Sequence, residues 1–199
     1  MLFASCKPQQ HQALLQPCEA LGTVLAEEAA RAAGPKKQVA IISPDAHWGA
    51  VSTVEQAFRD AMRKQGFTVV IAKAANLGDP MRRGPVGLKV ADFLEALDKS
   101  SDAGVIVSLA GAPLLGPGEA ARARPDHPPV LVVATGSLGN VPGLWCDPLQ
   151  VARLLEAKIV QLAIVDGGLA SDAPPAGKTD ATHQLFAQNY HVLRVERAN

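Results

Sequence analysis

The feature that most restricts what this chain can fold into is a repeated alternation of short, β-branched apolar runs with longer amphipathic stretches. Val39-Ala40-Ile41-Ile42 is apolar at every position, as a strand covered on both faces must be, and Val54, Ala57, Phe58, Ala61 and Met62 then recur at helical spacing. A strand that hides both faces needs a helical layer on each side, and strands separated by helices pair in parallel through right-handed crossovers. The pattern therefore predicts an α/β fold: a three-layer α-β-α sandwich around a mostly parallel, doubly wound sheet of about six strands, of Rossmann-like or flavodoxin-like type.

An opening helix is expected over residues 14–33, with Leu14, Cys18, Leu21 and Leu25 on one stripe and Gly34-Pro35 as its stop. The first strand, 38–42, leads into a loop over 43–51. Ser52-Thr53-Val54-Glu55 then has the form of a capping box that would start the next helix, with Gly66 ending it. Further strands are expected over 67–72, 104–109, 129–134, 160–165 and 190–195. Helices should lie over 86–99, near 119–123, from Asp147-Pro148 onward, and near 182–188. At 199 residues, with no internal repeat, residues 14–199 read as one domain.

Composition excludes several function classes. The 19 Lys and Arg balance the 19 Asp and Glu, so no positive field favours nucleic acid, and 4% aromatic content leaves few platforms for stacking bases. No apolar run reaches the roughly 20 residues that span a bilayer. The three cysteines, Cys6, Cys18 and Cys146, lack metal-ligand spacing, and their odd number argues against a simple disulfide framework. Cys18 and Cys146 read as small buried hydrophobes. Cys6 follows Leu2-Phe3-Ala4-Ser5, a run that resembles the lipobox of bacterial lipoproteins, although no basic segment or full apolar core precedes it. Residues 1–13 are accordingly expected to be a tether or signal-peptide remnant, with the Gln-rich stretch 8–16 linking a lipid on Cys6 to the folded body.

In a doubly wound sheet, ligands bind beyond the carboxyl ends of the strands, so the strand exits are where chemistry is to be sought. The first carries Ser43, Asp45, His47 and Trp48, a set able to accept, donate and stack. Asn76 follows the second strand, and Ser108 and Gly111 follow the third. Thr135-Gly136-Ser137 after the fourth offers hydroxyls and backbone N–H groups suited to a carboxylate or phosphate, and Asp166 ends the fifth. These residues form the candidate ligand-binding edge. Two enzyme or cofactor readings compete with simple binding. Thr135-Gly136-Ser137-Leu138-Gly139 approaches a nucleophile elbow, with Ser137, Asp166 and His183 in hydrolase chain order, but Thr135 stands where the first glycine belongs. Asp45-Ala46-His47 partly matches the D-x-H-x-x-G motif of cobalamin-binding domains, with Ala50 in place of the glycine. No metal site is expected, and His11, His127, His183 and His191 are isolated.

The succession Val39-Ala40-Ile41-Ile42-Ser43-Pro44, Glu55 through Ala61, Gln65-Gly66-Phe67-Thr68-Val69-Val70, and Leu154 through Val165 resembles the amino-terminal lobe of type 1 periplasmic binding proteins. The resemblance implies a non-enzymatic, cofactor-free, extracytoplasmic module that contacts a small polar solute through strand-exit loops. Those proteins close two lobes around the ligand, and this chain is long enough for one. A lone lobe is therefore expected to complete a cleft for the solute as a homodimer, to serve a protein partner as an interaction module on a membrane-attached assembly, or to be a diverged relic. It would sit in the periplasm or on the outer cell surface, touching the membrane only through Cys6.

Overall fold

The computed structural model describes residues 8–45, 49–78, 87–113, 115–123, 126–135, 148–167 and 180–195. In chain order they form α1 (Pro8–Ala33), β1 (Gln38–Pro44), α2 (Gly49–Lys64), β2 (Thr68–Ala75), α3 (Val90–Lys99) and β3 (Val105–Ser108). There follow α4 (Pro117–Ala120), β4 (Val130–Ala134), α5 (Pro148–Glu156), β5 (Leu162–Asp166), α6 (Ala181–Asn189) and β6 (Tyr190–Arg194). The strands form one sheet in the order β2-β1-β3-β4-β5-β6. β1 pairs in parallel with both β2 and β3, and β3, β4 and β5 continue in parallel. This is the expected α/β architecture. The exception is the edge: α6 passes straight into β6, which enters beside Asp166 and runs antiparallel to β5, with Tyr190 opposite Asp166 and Arg194 opposite Leu162.

Residues alternate strictly across the central strands. Val39 and Ile41 of β1, Val105 and Val107 of β3, Leu131 and Val133 of β4, and Leu162 and Ile164 of β5 face a layer made by α1, α2 and α6. Ala40, Ile42, Ile106, Val130, Val132 and Ala163 face a layer made by α3 and α5. Phe58 and Met62 of α2 and Phe93 of α3 are the large side chains that close the two cores, each wholly buried. Gly66 ends the first crossover at φ 77°, a left-handed conformation that an L side chain resists, and it turns the chain back into β2.

Two differences from the sequence reading have clear causes. α1 begins at Pro8, so residues expected to form a tether belong to the helix; proline is suited to a first helical position and the following Gln and Ala residues favour helix. β1 extends through Ser43 and Pro44, which pair with Ala74 and Ala75 of β2. The missing N–H of Pro44 falls on the β3 side, where pairing has already ended at Ile42 and Ser108. β2 carries an extra residue, Ala72, between the partners of Ile41 and Ile42. That bulge sits on an edge strand, where it discourages pairing with another chain. The residue after it, Lys73, is fixed to α3 by Asp92 at 2.9 Å and Glu95 at 2.6 Å. Hydrogen bonds from Lys73 and Lys99 hold the Glu95 carboxyl down at about 2.

α1 and α2 run side by side because a glycine lets them. A Cβ on Gly22 would lie 2.5 Å from the Val54 carbonyl oxygen and 2.9 Å from the Phe58 nitrogen, both backbone atoms that cannot swing aside. At its other end α1 meets the amino ends of the strands, where Gly104 leaves room for Ala33 and Lys36. The amino end of α1 therefore points toward the carboxyl edge of the sheet. Replacing Gly22 by Ala should lower unfolding stability by roughly 1–3 kcal/mol in a urea titration, despite alanine's better helix propensity, because α1 must be pushed off α2. An unchanged midpoint would show that the two helices tolerate separation.

Candidate functional site

Five parallel strands end on one edge, and β1 and β3, between which the strand order reverses, lie at its centre. At the end of β1 the Ser43 side chain turns toward α2 and donates to Glu55 Oε2 at 2.5 Å. Glu55 is almost fully buried, and its other oxygen accepts from Arg59 Nε at 2.8 Å and Nη2 at 2.7 Å. The expected capping box does not form. α2 starts at Gly49, three residues before Ser52, so Ser52 lies within the helix and Glu55 turns inward to Ser43 instead of reaching back. The result is a buried Ser43-Glu55-Arg59 chain that ties the end of β1 to the first turns of α2. The sequence signal for it is the Glu55/Arg59 pair four residues apart, whose partner Ser43 lies on another element.

Across the switch point, Ser108 faces the opposite layer, toward α3 and α5. Its hydroxyl donates to the Gly111 carbonyl at 2.6 Å, closing a tight turn in which Gly111 takes φ 86°. Gln150 of α5, buried and unmarked by any motif, donates to the Pro113 carbonyl at 3.1 Å and the Leu115 carbonyl at 3.4 Å. This loop is thus held from both ends by side-chain amide and hydroxyl bonds. Ser43 and Ser108, expected together on the candidate ligand-binding edge, are on adjacent strands but opposite faces of the sheet.

The remaining expected residues divide as follows. Asp45 is exposed, and its N–H extends the sheet by donating to the Ala75 carbonyl at 2.9 Å. Asn76 is exposed and its side-chain oxygen accepts from the Gly78 N–H at 3.0 Å, an Asx turn leading out of β2. Thr135 follows β4 and is buried. Asp166 ends β5 and is half-buried, level with Thr135 because Ala134 pairs with Val165. His47, Trp48, Gly136, Ser137, Cys6 and Cys146 lie outside the described residues. Cys18 is buried, and burial pushes its thiol above the ordinary range, against a hydrogen bond with Tyr190 that lowers it.

His183 bears on the hydrolase alternative. It lies on α6, with Nε2 2.9 Å from Glu27 of α1 and Nδ1 2.9 Å from Asp180, the N-cap of the same helix. Both ring nitrogens are thereby committed away from Asp166, so the Asp166-His183 step of a triad is not assembled. Beside this pair, Glu28 accepts from Arg31 at 2.8 Å and from Arg194 of β6 at 2.7 Å. Together the two clusters fasten α6 and β6 to α1. An open groove of about 910 Å³ lies between α1 and α2, lined by Glu19, Thr23, Ser52, Gln56, Asp60 and Lys64. Among the described residues no cluster of three or more His, Cys, Asp or Glu could hold a metal ion, and no helix is long and apolar enough to cross a membrane.

No protein-family model matches this chain, and no curated protein matches it.

Two expected outcomes follow from these clusters. Ser43→Ala should cost about 1–3 kcal/mol by chemical denaturation, because Glu55 loses a buried donor. Arg59→Ala should cost more, since it strips a buried carboxylate of its counter-charge. Equal, negligible losses would show that Glu55 is solvated. The hydrogen bonds from His183 to Asp180 and Glu27 raise its pKa, in that order of importance. A raised pKa contributes stability that is complete below the unfolded value near about 6.5 and is lost as pH rises through the folded value. Stability should therefore decline on going from about pH 6 toward alkaline pH, and His183→Gln should flatten that decline. An identical pH profile in the variant would rule out His183 as its source.

Proposed function

We propose that this chain is a non-enzymatic binding module that takes a small polar solute at the carboxyl edge of its sheet. It is a single lobe of the type 1 periplasmic binding protein kind, displayed outside the cytoplasm and attached through a lipid on Cys6. The observation that carries the reading is the construction of the edge around the β1/β3 switch point. There the Ser43-Glu55-Arg59 chain and the Ser108, Gly111 and Gln150 bonds stiffen two adjacent strand exits. A stiff edge binds a solute without losing affinity to ordering its own groups.

The same bonds count against catalysis by the described residues. Ser43, a buried serine at the switch point, donates to a carboxylate already neutralised by arginine, and among the described residues no imidazole bonds it. His183 is occupied as a link between α1 and α6.

A thermal-shift screen of the purified protein against sugars, amino acids and nucleosides tests the reading. A solute that binds only the folded state adds about 2.7 kcal/mol at a concentration one hundred times its Kd, which is a readily measured rise in Tm. No rise with any of them at high concentration would overturn solute binding and leave a protein partner or a second copy of the chain as the ligand. Lipid attachment is checked separately by incorporation of labelled fatty acid in the bacterial host, expected to vanish in Cys6→Ala.

A further inference from the structure

The last two elements are joined to the molecule more lightly than the strands at its centre. β6 is hydrogen-bonded to one strand, β5, and is antiparallel in a sheet otherwise parallel. Among residues 180–195 Phe186 and Tyr190 alone are buried, their ring centres 5.5 Å apart in the core on the α1 side, whereas every residue of β3 and β4 is buried. Two apolar anchors are few to hold a helix and a strand, and segments so attached are the ones that open locally. The attachment to α1 adds two ionic contacts, His183 to Glu27 and Arg194 to Glu28.

The first of these contacts is one that pH controls. Each ring nitrogen of His183 faces a carboxylate oxygen at 2.9 Å, Nε2 that of Glu27 on α1 and Nδ1 that of Asp180 on its own helix. Two acceptors need two N–H donors, which only the charged ring has; the neutral ring has one N–H to share between them and no charge. The bond to Asp180 lies within α6 and moves with it, so the bond that separation breaks is the one to Glu27. The other charged groups at this junction are Glu28 and Arg31 of α1 and Arg194 of β6. Separation also leaves α1 in order. Arg31 stands 2.8 Å from the buried Glu28 and 3.9 Å from Glu27, so both carboxylates keep a counter-charge when His183 and Arg194 withdraw. The large cost of breaking such contacts, an uncompensated buried acid, is avoided.

We propose that α6 and β6 form a pH-controlled clasp: charged His183 holds them on α1, and its deprotonation raises the population in which they lift from α1 and β5 as one unit while the five parallel strands stay folded. The opened form exposes the backbone groups of β5 and the α1 surface beneath Phe186 and Tyr190. That surface includes Cys18, whose thiol is hydrogen-bonded to Tyr190 in the closed form. The clasp holds whether or not the chain binds a solute.

The test is hydrogen exchange followed by mass spectrometry from about pH 5.5 to about pH 9, with each segment's rate divided by that of the unfolded chain at the same pH. Residues 180–195 should be less protected than β1, β3 and β4 throughout. Their protection should be greatest below about pH 6.5 and fall roughly three- to tenfold as pH rises through the folded pKa of His183. The fall should vanish in His183→Gln, which cannot take the charge, and in Glu27→Gln, which removes the acceptor that opening leaves behind. Alkylation of Cys18, scaled in the same way, should keep step with exchange of this segment. Protection of 180–195 equal to that of the central strands would mean that the clasp opens only with the whole fold, and the proposal fails. It also fails if the fall with pH is absent from wild type or persists in either variant. Should His183→Gln not fold, wild type and Glu27→Gln decide the matter.

Discussion

Burial of β1 on both faces is the constraint on which the rest of the molecule depends. Ile41 and Ile42 point in opposite directions and both are wholly buried, so the chain must supply a helical layer on each side. α1 and α2 cover one face and α3 covers the other, and the crossovers that deliver them set β2 and β3 on either side of β1. The strand order then reverses at β1 and β3, and the exits of these two central strands diverge toward different layers. The switch point at the carboxyl edge is a by-product of covering one apolar strand twice.

Close approach of α1 to α2 completes the first layer, and it is bought at a single residue, Gly22. The same layer holds the ionic contacts that reach the last helix and strand. Glu27 and Glu28 of α1 reach His183 and Arg194, so the antiparallel edge formed by α6 and β6 is fastened to the opening helix more than one hundred and fifty residues earlier in the chain. Glu55 performs a related task inside α2, drawing the end of β1 against the helix that follows it. In both cases an acidic side chain on one helix fixes a different element.

The elements themselves were legible in the residues. Apolar runs such as Val130 to Ala134, the amphipathic stripe of Phe58 and Met62, and the stops at Gly34 and Gly66 are local signals, and each element lies within a few residues of where they point. The ends were less so. Ser43 and Pro44 look like the start of a loop because a polar residue and a proline usually close a strand, yet β2 continues to pair with them. Glu55 reads as a capping residue because Ser52 lies three positions before it, and that reading lacks the competing partner, Ser43, which tertiary contact supplies. Gln150 carries no signal at all, since a buried glutamine is recognised only by the carbonyls it meets.

Sequence by itself determined the α/β class, the single chain of alternating strands and helices, and the set of polar residues that fall at strand exits. These follow from periodicities of two and 3.6 residues, which are properties of the backbone and need no knowledge of neighbours. Tertiary structure alone decided which of those residues are already spoken for. Ser43 and Ser108 are interchangeable in sequence terms, but the sheet turns one toward Glu55 and the other toward the Gly111 carbonyl, while among the described residues it leaves Thr135 buried without a bond. The reason is that hydrogen-bond satisfaction depends on what lies within about 3 Å, and in a doubly wound sheet those neighbours come from strands and helices far apart in the chain.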